Sequence, residues 1–432
     1  MAVHTLNRKI QPPQKAIDSV EIPNPLMENL PNGLKIAFLN SGDQDIVKLE
    51  LIFRAGTRYQ QKPIVAKASI SQLIEGTASK SSKDISEFLD FTGSFIEFSN
   101  DRDFASVSTL TTNKHLKPIL ELLVEMLEQP TFPQSELDVY KKRGKQNLLV
   151  ELEKVSTVAR MNFFKKMFGE NHPYGTYAIP SDYDLLNRDD IYSFHKAFHD
   201  ISNAFLVVTG KLSDTEIDAI KNAFAQISSK HKVALSPINI ANNKQSDKRI
   251  FSLKKDATQT AIRMGMPTIK RNHPDFIGLS VLNTILGGYF GSRLMQNIRE
   301  EKGYTYGIYS TILPFEEVTV FLIASEVGKN FANQTITEIY NEIEKLKTSA
   351  ITDNELNLVK NYLLGEILRT FDGPLALADS LSSLYQYNNF EIEFFEKTIN
   401  TVNTITPKIL QDIANKYLNT DNIVESIAGI ID

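Results

Sequence analysis

The histidines of this chain could take part in metal or acid–base chemistry, because imidazole both binds metal ions and carries protons near neutral pH. Among the seven histidines, His195 and His199 form an H-x-x-x-H pair. On a helix this spacing places both rings on one face, where they could begin a metal site. No carboxylate lies between them, and the remaining five show no ligand spacing: His4, His115, His172, His231 and His273. The pair is therefore interpreted first as part of a packed helix.

Cysteine and glycine set further limits on the chemistry. The chain has no Cys, which excludes disulfides, thiolate metal sites and a cysteine nucleophile. The glycine-rich run LGGYFG from Leu286 reads G-G-x-x-G rather than G-x-G-x-x-G, and it follows a predicted helix rather than a strand. We interpret it as a tight loop, where glycine lets backbone approach backbone or a bound peptide.

The composition indicates an ordinary globular protein of more than one domain. The 432 residues are 42% hydrophobic and 23% charged, with a net charge of -5, which argues against nucleic-acid binding. No apolar run reaches the roughly 18–20 residues that span a bilayer, and the N-terminus lacks the apolar core of a signal peptide. The predicted location is cytoplasmic, or periplasmic if a signal peptide has been removed.

The pattern of elements in the first half recurs in the second. After the turn at Asn32-Gly33, strands are predicted from Leu34, Ile46, Ser94 and Phe104, followed by an amphipathic helix and one long helix over 135–168. Later come strands at 304–312 and 317–325, an amphipathic helix, and a long helix that opens with Asn354. This order of strands and helices, without sustained β-α-β alternation, favours an α+β fold.

Local similarity supports a true duplication. The segment SELDVYKK from Ser135 aligns with NELNLVKN from Asn354, 219 positions later, and ELLVEM from Glu121 aligns with EIYNEI from Glu338, 217 positions later. A repeat of this length is a duplicated domain rather than a solenoid. We predict an N-terminal domain over 1–228, a polar linker over 229–249 and a homologous C-terminal domain over 250–432.

The segment from Leu286 to Ser310, LGGYFGSRLMQNIREEKGYTYGIYS, closely resembles the signature of the pitrilysin and insulinase zinc metallopeptidases, in their mitochondrial-processing-peptidase-like branch. Further matching pieces lie along most of the chain, including FRAGTRYQ, IEGT, EQPTFPQSELD and ENHPYGTYAIPS. The resemblance implies two homologous α/β-sandwich domains that face each other across a chamber as a clamshell.

Active members of that family carry H-x-x-E-H on a helix, in which two His bind zinc and the Glu is the general base. Counting back from Gly76-Thr77, the corresponding positions hold Lys67, Ile70 and Ser71. A protonated lysine cannot bind zinc, isoleucine cannot be a base, and a lone serine hydroxyl is a poor ligand. The third ligand, a Glu in the family, falls on Leu148 or Leu149, with Glu151 and Glu153 nearby. This chain is therefore expected to bind no zinc itself.

The second half retains the family's Arg and Tyr positions, whereas the first half lacks the zinc ligands. Active members contribute an Arg and a Tyr, seven residues apart, and here these positions hold Arg299 and Tyr306. The resemblance implies that Arg299 holds substrate carbonyls and that Tyr306 donates a hydrogen bond to the developing oxyanion. Judged by spacing alone, the alternative is an arginine at a helix end, paired with Glu300 or Glu301, and a tyrosine in the core.

Two functional hypotheses follow. In the first, this chain is the Arg/Tyr-supplying subunit of a zinc endopeptidase that acts on peptides. It is inactive alone and works with a homologous H-x-x-E-H partner that holds the zinc. In the second, it is a non-proteolytic assembly or peptide-binding protein, similar to the core subunits of respiratory complexes that share this fold. A third possibility, an active peptidase with an unrecognised site, requires ligands that the sequence does not provide.

Overall fold

A computed structural model describes residues 23–229, 248–388 and 390–431. The strands are β1 Leu26–Asn29, β2 Lys35–Asn40, β3 Ile46–Phe53, β4 Phe95–Asn100, β5 Ala105–Thr112, β6 Ala204–Gly210, β7 Arg249–Leu253, β8 Gln259–Thr268, β9 Thr305–Pro314, β10 Thr319–Gly328 and β11 Val424–Gly429. The helices of the first half are α1 Val65–Ser71, α2 Ser82–Thr92, α3 Leu116–Glu128, α4 Gln134–Glu153, α5 Val155–Phe168, α6 Pro180–Leu185, α7 Arg188–Phe198 and α8 Asp214–Ala225. Those of the second half are α9 Phe276–Asn283, α10 Ala332–Thr348, α11 Asp353–Thr370, α12 Gly373–Asn388, α13 Glu393–Thr404 and α14 Pro407–Tyr417.

The strands form two sheets with matching topology. The first has the order β1-β2-β6-β3-β5-β4, and the second has the order β7-β11-β8-β10-β9. Apart from β1, each strand of the first sheet has a counterpart at the same place in the second. The parallel pairs β2–β6 and β7–β11 also correspond, and the other pairings are antiparallel. The predicted α+β fold of two homologous sandwiches is confirmed.

Helices form where the sequence provides an amphipathic face and a cap. In α3, leucines and isoleucine at helical spacing are buried against the first sheet, as predicted. Ser81 begins α2 with a capping box to Asp84, and Thr352 accepts a hydrogen bond from the Glu355 amide at the start of α11. Both caps satisfy amide groups that would otherwise have no partner in the first helical turn.

The predicted single helix over 135–168 is wrong in one respect, because the chain breaks at Lys154. This residue has φ −80° and ψ 126°, an extended conformation, and its ammonium group pairs with Glu151 at 2.5 Å. Helix α4 therefore ends at Glu153, and α5 starts in a new direction. Periodicity could not locate this break, because apolar residues continue across it.

The break allows the two halves to exchange helices. Helix α5 packs on the second sheet: Phe163 and Phe164 lie with Val320 and Leu322, and Ala159 lies against strands β8 and β11. In return α12 covers the first sheet, where Leu377, Ala378, Leu381 and Leu384 pack with Ala37, Leu39, Phe205 and Val207. Each sheet is thus covered on one face by a helix from the other half of the chain.

The two sheets are built from separate stretches of the chain. The strands of the first sheet lie between Leu26 and Gly210, and those of the second lie between Arg249 and Gly429. Of the predicted linker, residues 230–247 fall outside the described residues, and β7 begins at Arg249. Within the described residues, no helix combines the length and apolar character needed to cross a membrane.

Candidate functional site

The three degenerate metal positions lie on α1 and point in different directions. Lys67 is exposed, whereas Ile70 is 1% exposed and belongs to the core of the first half. The Ser71 hydroxyl donates to the carbonyl oxygen of Lys67 at 2.8 Å, so it is bound to its own helix. The helix that would carry H-x-x-E-H is therefore present, but its side chains serve packing and solvent contact.

The start of α1 is fixed by a strained residue. Ile64, directly before the helix, has φ 74°, a left-handed conformation that is unfavourable for a β-branched side chain. Its side chain is buried in the core of the first half, so packing holds the backbone in this conformation. The position of Lys67, one turn further along, is determined by this packing.

The position of the third metal ligand lies across a cavity from α1. Leu148 and Lys67 line the same open cavity, whereas Leu149 is exposed to solvent and does not line it. Glu151 also lines it, but its carboxylate accepts hydrogen bonds from Lys154 at 2.5 Å and Thr157 at 3.2 Å. The hydrogen bond from Lys154 lowers the pKa of Glu151, partly opposed by desolvation. This geometry favours Leu148 as the counterpart of the third ligand.

In the part of the chain that the structure describes, no three side chains of His, Cys, Asp or Glu are grouped so that they could hold a metal ion. The residues at the family's zinc positions do not fit the metal, since Lys67 offers a cation and Ile70 offers no donor atom. The chain's own side chains therefore supply no route to zinc chemistry at this place.

His195 and His199 are brought together, but in a packed environment. Their Nδ1 atoms lie 3.0 Å apart, and the Nε2 atom of His195 is 2.9 Å from the carbonyl oxygen of Leu127. Both residues are 6% exposed, and the His199 ring lies 5.2 Å from the ring of Phe53. Burial, reinforced by the neighbouring imidazole, lowers the pKa of His199 well below its usual value. The interpretation as a packed helix agrees with this environment.

Arg299 and Tyr306 occupy different environments at one end of the second half. Arg299 lies in the helical turn Met295–Glu301, where its Nη1 atom pairs with Glu300 at 2.9 Å and its guanidinium lies 4.6 Å from the ring of Phe290. Tyr306 is 91% exposed, near the start of strand β9. The alternative drawn from spacing is thus half right: the predicted ion pair forms, but the tyrosine is not in the core. Neither residue lines the cavity beside Lys67.

The glycine-rich loop closes tightly against strand β9. A Cβ atom on Gly287 would lie 2.5 Å from the backbone nitrogen of Ser310, closer than side-chain carbons approach in folded proteins. The run begins inside the helical turn Thr284–Gly288, which continues directly from α9, so a helix does precede it. Close backbone approach, as predicted, explains the glycine at this position.

A buried polar network at the contact between the halves was not predicted as a site. Arg58 donates to Asp103 at 3.1 Å and pairs with Glu316 at 3.0 Å, and the Tyr174 hydroxyl donates to Asp103 at 2.6 Å. The backbone amide of Glu316 donates to the second Asp103 oxygen at 2.9 Å. Arg58 and Tyr174 stand in the pieces FRAGTRYQ and ENHPYGTYAIPS, so the resemblance marked both segments without indicating their contact.

Comparisons with known proteins identify peptidase-related sequences. A sequence profile described as the peptidase M16 inactive domain matches residues 185–363. A relative from Bacillus subtilis (strain 168), called uncharacterized zinc protease YmxG, is 23% identical over 90% of this chain and 95% of its own length. A relative from Helicobacter pylori (strain ATCC 700392 / 26695), called non-peptidase homolog YmxG, is 23% identical over 88% of each chain.

Solved structures agree on the fold. The crystal structure of a peptidase M16 inactive domain from Pseudomonas fluorescens has a TM-score of 0.85 and 24% identity, covering 95% of this chain and 99% of that one. Together with the matched profile, the duplicated sandwich fold and the altered H-x-x-E-H positions, this confirms the resemblance seen in the sequence. The chain is thus similar to the pitrilysin/insulinase family, peptidase M16, through the profile match over residues 185–363 and through its fold.

Proposed function

We propose that this chain is the non-catalytic, Arg/Tyr-supplying subunit of a heteromeric zinc endopeptidase that acts on peptides or unfolded polypeptides. The observation that carries the proposal is the 91% exposure of Tyr306. A phenol left in solvent near the start of a strand, in a segment with the family signature, is available to a bound substrate. A tyrosine needed only for packing would be buried, as Tyr174 is.

The roles of the two residues follow from their donor groups. Tyr306 would donate its hydroxyl hydrogen to the oxyanion that forms when water attacks a peptide carbonyl. Arg299 would direct its guanidinium to substrate carbonyl oxygens, for which a planar fork is better suited than a lysine. Its present pair with Glu300 is partly exposed and therefore weak, so substrate could replace it.

Strands at the sheet edges offer a binding mode for extended peptides. Strands β4 and β9 are equivalent in the two halves and lie at the ends of their sheets. Their outer backbone groups could pair with a substrate strand, which reads main chain more than side chains. This supports broad specificity.

The proposed partner is a homologous subunit with an intact H-x-x-E-H motif, which would bind the zinc. The name of the Bacillus relative, a zinc protease, is consistent with a proteolytic context. The assembly would act in the cytoplasm, or in the periplasm if a signal peptide directs the chain there.

The alternative is a non-proteolytic assembly or peptide-binding protein. The name of the Helicobacter relative, a non-peptidase homolog, favours it. The two functions differ in whether this chain raises the activity of a partner.

Peptide hydrolysis tests the proposal. It is measured for this chain alone, for a co-expressed H-x-x-E-H homologue alone, and for the mixture. Only the mixture should cleave. Tyr306→Phe should lower kcat about 100-fold or more, the loss typical of one oxyanion donor. Arg299→Ala should lower kcat/KM, with partial recovery in Arg299→Lys. Tyr309→Phe, an exposed tyrosine on the same strand, is the matched control.

A partner that cleaves equally well alone would contradict the proposal and favour the assembly protein. The same holds if Tyr306→Phe behaves like Tyr309→Phe.

A further inference from the structure

The cavity between α1 and α4 lies where the active members of the family hold zinc, and its own residues are suited to a different ligand. It has a volume of about 460 Å³, within the range of small-ligand pockets. Its lining includes two cationic side chains, Lys67 from α1 and Arg143 from α4. Among the described residues, no carboxylate forms an ion pair with either cation.

The acidic residues of the same lining are mostly engaged elsewhere. Glu75 accepts a hydrogen bond from Ser82 at 2.7 Å, and Glu151 is held by Lys154 at 2.5 Å. Glu136 remains, in the first turn of α4 and seven residues before Arg143, a distance of about 10 Å along a helix. The lining therefore carries both signs of charge: Lys67 and Arg143 are cations without an ion pair among the described residues, and Glu136 is an acid about 10 Å from Arg143.

A buried acceptor faces the same cavity. Gln72 is 4% exposed and lines it, and its Oε1 atom has no hydrogen-bond partner in the described parts of the chain. Leaving such an oxygen buried and unpaired costs about 1–3 kcal/mol. A ligand that brings an N–H group would satisfy it.

One wall of the cavity is aromatic. A Cβ atom on Gly144 would lie 2.2 Å from the Tyr183 ring, so the glycine allows this ring to pack directly on α4. Tyr140, one turn earlier on the same helix, is partly buried and also lines the cavity. The cavity thus combines aromatic side chains with two cations and one unpaired acceptor, and a peptide carries the matching groups.

We propose that this cavity binds a peptide through a carboxylate, which Lys67 and Arg143 contact, while Gln72 accepts a hydrogen bond from a peptide N–H. The carboxylate is either the C-terminus or an acidic side chain. The position of a lost metal ligand would then serve as an anion site. This binding belongs to the isolated chain and does not depend on a catalytic partner.

Titration calorimetry on the full chain tests this with three N-acetylated hexapeptides of alanine and serine. One has a free C-terminal carboxylate, one is its C-terminal amide, and one is the amide with a single internal Glu. The free acid should bind at least tenfold more tightly than the plain amide, the size expected for one charge-assisted hydrogen bond. Lys67→Gln and Arg143→Gln should each remove most of that difference, and Lys67→Arg should retain it.

Lys142→Gln is the matched control, because Lys142 is exposed beside Arg143 on α4 but does not line the cavity. Equal binding of all three peptides, no measurable binding of either carboxylate peptide, or equal effects of Lys142→Gln and Arg143→Gln would each overturn the proposal. If only the acid binds more tightly than the plain amide, the site takes the C-terminus; if only the internal-Glu amide does, the site takes an acidic side chain; if both do, it takes either carboxylate. Each of these results supports the proposal. Because no partner subunit is present, failure here is distinguishable from failure of the proposed function.

Discussion

Two tyrosines with the same hydroxyl group occupy opposite environments in this protein. Tyr174 is fully buried and donates to the carboxylate of Asp103 at 2.6 Å, whereas Tyr306 is 91% exposed. Tyr174 therefore stabilises the fold through this contact, whereas the Tyr306 hydroxyl lies in solvent.

The same substitution at both positions tests this contrast. Tyr174→Phe should lower the free energy of unfolding by about 1–3 kcal/mol, because buried Asp103 loses a donor. Tyr306→Phe should change it by less than about 0.5 kcal/mol, because its hydroxyl lies in water. Urea denaturation measures both values. Equal losses would mean that Tyr306 packs in solution, which would also weaken its proposed catalytic use.

A pH dependence is expected from His199. Its pKa is lowered in the folded protein, so below about pH 6.5 the unfolded chain takes up a proton that the folded chain does not. Stability should therefore fall as the pH drops from about 7 to about 5. Replacing His199 with Phe should flatten this part of the stability curve. An unchanged slope in the His199 variant would show that this residue is not responsible.

Among the helices, α5 and α12 are exchanged between the two halves, and this exchange makes each half depend on the other. The first sheet has an apolar face that α12 covers, and the rings of Phe205 and Tyr385 stack with centroids 4.2 Å apart. Without α12, this face of the first sheet would be exposed to water. The two halves are thus mutually dependent despite their equivalent folds.

Substitution of two leucines on α12 tests how strongly the two halves depend on each other. Leu381 is 3% exposed and packs against the first sheet, whereas Leu375 is 43% exposed on the same helix. Leu381→Ala should cost about 2–5 kcal/mol of unfolding free energy, and Leu375→Ala should cost much less. Hydrogen exchange should then show faster opening of β6, a strand from the other half of the chain. If only the second half loses protection, the helix exchange does not couple the halves.

At the scale of the whole molecule, the network around Arg58 joins the halves. It links Arg58 and Asp103 of the first half to Glu316, which lies between β9 and β10 of the second. Burying these charges is costly unless they remain paired. The network therefore favours one relative position of the two sheets.

Removing the cation should be strongly destabilising. Arg58→Met leaves Asp103 buried without its cation, and we expect a loss of about 3–5 kcal/mol. The double variant Arg58→Met with Asp103→Leu should recover part of this loss, because no buried charge remains. Arg369→Met, at an exposed ion pair, is the control and should change stability by less than about 1 kcal/mol. Calorimetric unfolding gives these values, and a single variant as mild as the control would contradict the assigned role.

Sequence patterns predicted the secondary structure around the site well. The strands near Leu34, Ile46 and Phe104 and the amphipathic helix α3 are present, because alternation and helical periodicity record which face is buried. The break at Lys154 was missed, since an extended residue between two apolar helices leaves no mark in periodicity. The exposure of Tyr306 was also undetermined, because the side chains of a strand alternate between two faces and spacing does not say which face is covered.

The amino-acid types alone exclude an H-x-x-E-H motif from this chain, because Lys67 and Ile70 supply no donor atoms suited to zinc. Local similarity between the two halves likewise indicates the duplicated fold. Tertiary contacts, in contrast, are needed for the exchange of α5 and α12, the pairing of Arg58 with Asp103 and Glu316, and the cavity that joins Lys67 to Arg143. These depend on contacts between residues far apart in the chain, and such contacts are set by how the sheets pack rather than by local sequence.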